Sequence, residues 1–69
     1  MYYPNERQNY RVFDTLEGSV VWSGSDRTAA VRNFESSAEA LVKQKIRTYL
    51  ILQALDERGL YRIIRERKL

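Results

Sequence analysis

The sequence predicts a small α+β domain in the order ββα(α)β. A small antiparallel sheet, built from a β-hairpin and a C-terminal third strand, packs on one long or bent helix. Three observations carry this reading. Two runs, Tyr10-Arg11-Val12-Phe13-Asp14 and Val20-Val21-Trp22-Ser23, are rich in β-branched and aromatic residues and flank a short connection containing Gly18, the pattern of a hairpin. An apolar run with spacings of three and four follows a cluster of turn and cap residues, as a helix requires. The tail at 60–65 holds Tyr61, Ile63 and Ile64 and reads as a strand, because a lone two-stranded hairpin is marginal in water.

Each element has its local cause. Residues 1–9 are polar, carry the sole proline, and read as an N-terminal arm ahead of one domain over 10–69. Ser23-Gly24-Ser25-Asp26 supplies turn and N-cap chemistry, and Ala29, Ala30, Val31 and Phe34 follow at helical spacing. Ser36-Ser37-Ala38-Glu39 has the capping-box form, so a second helix starts there or one long helix bends there. Ala38, Leu41, Val42, Ile46, Tyr49 and Leu50 continue the spacing, and Ile51, Leu52 and Leu55 widen the apolar surface. A stripe that wide lies either under two neighbouring elements or against a second chain, which makes Ile51, Leu52 and Leu55 a candidate dimer or partner groove. Gly59 has the position of a helix C′ residue, with Leu60 placed to pack back on the last turn.

Composition removes much chemistry. The chain has 69 residues, no Cys and no His. Disulfides and Cys/His zinc sites are excluded, as are thiol nucleophiles and the commonest general base. The serines stand in turn or cap contexts without a Gly-x-Ser-x-Gly elbow, and Gly18, Gly24 and Gly59 are isolated turn formers rather than a phosphate loop. Asp56 and Glu57 are adjacent and so point to different faces of a helix. The expectation is a non-enzymatic protein with no cofactor and no metal. A core this small supplies roughly 3–5 kcal/mol, so a homodimer or a larger complex is expected to contribute stability. Nothing near Met1 has the apolar core of a signal peptide, and no apolar run approaches the roughly 20 residues of a membrane span; the expected location is the cytoplasm of the host cell, with no membrane partner.

Twelve Lys and Arg against nine Asp and Glu give a charge of +3, which does not fit an acidic mimic of DNA. Arg58, Arg62, Arg65, Arg67 and Lys68 form the densest basic cluster, and Lys43 and Arg47 would extend it along the long helix. If the tail is a helix, Arg58, Arg62 and Arg65 share a face; if it is a strand, Arg65 and Arg67 share one and Arg62 points away. Such cations contact an acidic protein surface or phosphates, or simply solvate the domain. The aromatic candidates for a partner are Tyr2, Tyr3 and Trp22, with Phe34 and one of Phe13 or Trp22 expected in the core.

The stretch at 10–34 resembles the short strand–turn–strand–helix proteins common among small orphan genes of phages and mobile elements. The residues that carry this are Tyr10-Arg11-Val12-Phe13-Asp14-Thr15, the Gly18 turn, Val20-Val21-Trp22 and Ser25-Asp26-Arg27-Thr28-Ala29. The resemblance implies an accessory or anti-defence factor that inhibits by occluding a host protein. The leading expectation is therefore a protein-binding module that covers an acidic or nucleic-acid-handling surface of its target. The alternative is a small basic DNA- or RNA-binding protein working as a dimeric regulator. A structural subunit of a larger assembly is the third class.

Overall fold

The computed structural model describes residues 9–69, so most of the predicted arm, with Tyr2 and Tyr3, lies outside the described residues. The elements are β1 (Tyr10–Asp14), β2 (Ser19–Gly24), α1 (Arg27–Lys43), β3 (Tyr49–Leu55) and β4 (Tyr61–Lys68). They form one four-stranded antiparallel sheet in the order β2-β1-β3-β4, with α1 packed across β1, β2 and β3. The α+β class and the C-terminal strand agree with the sequence reading. The order is ββαββ, with one strand more than expected.

The hairpin forms where Asp14 can organise its loop. Its carboxylate accepts the amides of Leu16 and Glu17, each at 3.1 Å, and Gly18 takes the positive φ of 71° that closes the turn. Asp14 also accepts a hydrogen bond from the Thr48 hydroxyl in a buried pair. The Thr48 bond first, then the two amides, hold the carboxyl below its ordinary value against the opposing effect of burial. Asp14 thereby ties the first hairpin to the segment that enters β3.

Helix α1 starts at Asp26, whose carboxylate caps the amides of Thr28 and Ala29 at 3.3 Å. It then runs unbroken past Ser36, so the capping box there starts nothing. Inside a formed helix the amide of Glu39 is already bonded to the carbonyl four residues back, and Ser36 has no orphan donor to satisfy. The end comes at Lys43, much earlier than the apolar spacing suggested. Lys45 adopts φ 59°, its amide bonds to Val42 at 3.0 Å, and the Ile46 amide reaches back to Leu41 at 3.0 Å. These are the two bonds of a Schellman stop, here with Lys at the position usually given to Gly.

Residues 49–55 are therefore a strand and not the second half of a long helix. Leu50 and Leu52 face α1 and are fully buried, while Ile51 points to the opposite face and is 5% exposed. An interior strand flanked on both sides by other strands is apolar in both directions, which imitates a helix that is apolar most of the way round. Ile51 and Leu52 consequently form no groove, and Leu55 is half-buried at the end of β3. Gly59 has the positive φ expected of it (83°), but in the β3–β4 turn. There the Asp56 carboxylate accepts the amides of Arg58 and Leu60 at 2.9 Å and the Arg62 guanidinium at 2.8 Å. Those bonds, the Leu60 amide first and Arg62 next, hold the Asp56 carboxyl below its ordinary value.

The core lies between α1 and one face of the sheet. Val12, Leu50 and Leu52 meet Ala30, Phe34 and Ala38, with Tyr10, Trp22, Val31, Leu41, Ile64 and Leu69 packed around them. Trp22 belongs to this layer, and it leaves no room beside it: a Cβ on Gly24 would stand 2.7 Å from its ring.

Candidate interaction surfaces

Because cross-strand neighbours project to the same side, the register defines what covers each face of the sheet. The face away from α1 carries Val20 and Ser23 on β2, Arg11 and Phe13 on β1, Tyr49, Ile51, Gln53 and Leu55 on β3, and Tyr61, Ile63, Glu66 and Lys68 on β4. Among the described residues no helix or strand covers it. Val20 is 49% exposed and Ile63 51%, with Tyr49 exposed beside them. Arg11 spans the middle of this surface. Its guanidinium carbon lies 3.9 Å from the Tyr61 ring centroid and 5.4 Å from that of Phe13, and its Nε donates to Gln53 Oε1 at 2.7 Å. Arg11 is thus held down on the sheet by two rings and an amide. In the sequence Phe13 and Tyr61 stand only among the general aromatic candidates, Phe13 also as a core candidate; their alternation with Val12 and Arg62 is the signal that sets them on one face.

The predicted basic residues separate into groups. A bulge in β4 sets both Ile64 and Arg65 against Leu52. The added residue restores the phase, so Arg62, Arg65 and Arg67 all lie on the α1 side of the sheet rather than Arg62 pointing away. Arg62 is committed to Asp56 in the turn, and Arg65 Nη1 donates to the carbonyl of Ile64 at 2.8 Å. Arg58 sits in the turn at one end of the sheet. At the other end, Lys43 closes α1, Lys45 and Arg47 follow it in the connection to β3, and Lys68 ends β4. Lys43 and Arg47 are therefore not neighbours on one helix face. A shallow depression there is lined by Leu16, Arg47, Thr48, Tyr49, Lys68 and Leu69. None of these end cations forms an ion pair among the described residues.

Of the predicted aromatic anchors, Trp22 packs beside the core, and Tyr2 and Tyr3 fall outside the described residues. No cluster of three potential metal ligands occurs among the described residues, and no helix there is long and apolar enough to cross a membrane. No family model, curated protein or solved structure matches the chain. The functional reading rests on the geometry of the chain itself.

Proposed function

We propose that this chain is a protein-binding module that docks through the open face of its sheet, against an apolar patch bordered by acidic side chains. One observation carries the proposal: an entire sheet face, rich in apolar and aromatic side chains, has no covering element among the described residues. Exposed apolar surface of this kind is where proteins meet partners. Arg47 and Lys68 border it at one end and supply the complement to an acidic rim. Binding of this kind acts by occlusion and needs no catalytic group, in keeping with an inhibitor or accessory factor.

The test is quantitative affinity capture with the wild-type chain and with a Val20→Lys/Ile63→Lys variant. The proposal expects a discrete protein that the wild type retains and the variant loses. Equal capture by both chains removes the open face from the account.

A nucleic-acid reading has a narrower basis. Single-strand binding combines stacking rings with cations along one surface. Here Tyr61 and Phe13 are engaged by Arg11, while Arg62, Arg65 and Arg67 lie on the other side of the sheet. Tyr49 beside Lys68 and Arg47 is a further place where a ring and cations adjoin, and it favours this second reading. Binding to random DNA or RNA that weakens steeply with salt, and is lost in Arg47→Glu/Lys68→Glu, would support it.

A further inference from the structure

We infer that β2 is a self-pairing edge: two copies of the chain join β2 to β2 in antiparallel fashion, making one eight-stranded sheet from two four-stranded ones. This goes beyond the proposed function and does not depend on it.

The sheet has two edges, β2 and β4, and they are built differently. Free edges present unpaired amides and carbonyls, which proteins protect with charge and bulges. Both strands contain a bulge. Five of the eight residues of β4 are charged, four of them cationic. None of the six residues of β2 is charged, and Val20 and Val21 are 49% and 45% exposed. Pairing β4 with itself would set cations against cations. Pairing β2 with itself meets no such repulsion, although each chain carries +3.

The flanks of β2 select a second copy as the occupant. Glu17 precedes the strand, and Asp26 and Arg27 follow it. The Asp26 carboxylate is engaged in capping α1, whereas Glu17 and Arg27 are exposed and neither has an ion-pair partner among the described residues. An antiparallel two-fold reverses the strand, so Glu17 of each copy comes beside Arg27 of the other, at both ends of the seam. The axis of such a pairing stands normal to the sheet. Both helices then lie on one side and both open faces on the other, as a continuous surface. The association would also add stability to a chain that has seven buried apolar residues among the described residues and no cysteine.

Sedimentation equilibrium on the full chain tests this. The expected species at high concentration has twice the 8.2 kDa chain mass, and Val21→Lys reduces it to the monomer. Glu17→Arg breaks the pair at both ends of the seam and should weaken the dimer by up to about thirtyfold, and adding Arg27→Glu should restore it, since each exposed pair contributes up to about 1 kcal/mol. Hydrogen exchange of the wild type needs no variant: amides of β2 should become more protected as concentration rises, while those of β4 should not. A monomer at every concentration overturns the inference. So does a dimer that Val21→Lys leaves intact while the variant keeps the circular dichroism of the wild type, or one whose concentration-dependent protection falls on β4.

Discussion

The two faces of the sheet are made by the same strands, yet among the described residues only one is covered by another element. On the α1 side, Val12, Leu50 and Leu52 are fully buried against Ala30, Phe34 and Ala38. On the other side, Phe13, Tyr61 and Ile63 stand on a surface where Arg11 is laid across two rings. The first face accounts for folding. The second holds apolar side chains that the described residues leave partly in water, and the proposed docking uses this surface.

The contrast can be broken by substitution. Leu52→Ala should have the largest effect, about 2–5 kcal/mol from lost burial and a cavity. That is comparable with the whole stability of a domain this size, so thermal denaturation should show a largely unfolded chain. Gly24→Ala should cost about 1–3 kcal/mol by driving Trp22 off its site, seen as a lower melting temperature and altered tryptophan fluorescence. Asp14→Ala should also cost about 1–3 kcal/mol, because Thr48 and two amides lose their acceptor. It should change the acid limb too. The Asp14 carboxyl is held below its ordinary value, so its contribution is present above the unfolded value near pH 4 and is lost as pH falls through the folded one. Denaturant titrations across that window should give a flatter acid limb for the variant.

Smaller effects sharpen the same comparison. Lys45→Gly should raise stability by about 0.4–1 kcal/mol, since the left-handed conformation suits Gly better than Lys. Ile63→Lys on the open face should stay within about 0.5 kcal/mol of the wild type in chemical denaturation. A large loss there would mean that the open face is part of the core.

What the sequence disclosed follows from where local signals were strong. The hairpin around Gly18, the Asp26 cap and the C-terminal strand were readable because turn chemistry and β-branched runs act locally. The helix was carried too far because its stop lies at Lys45, a residue that announces no stop, whereas Gly59 seemed to announce one. Leu50 to Leu52 then matched helical spacing and a doubly buried strand equally well. The open face was hidden for a related reason. Phe13, Ile51 and Tyr61 become neighbours through pairing between distant segments, and the phase of Arg62 depends on a bulge at Ile64 that no local pattern marks. The basic cluster was visible as composition, but its division between the α1 side of β4 and the Arg47–Lys68 end is a tertiary outcome.

The most direct measurement of the central claim is a binding titration of the captured protein against three chains at two salt concentrations. These are the wild type, Val20→Lys/Ile63→Lys on the open face, and Arg65→Glu/Arg67→Glu on the α1 side of β4. The account predicts a loss of about tenfold or more, equal to about 1.4 kcal/mol, for the open-face variant at both salts, and a smaller, salt-dependent loss for the basic variant. Full affinity in the open-face variant, with binding abolished in the basic one, would contradict it.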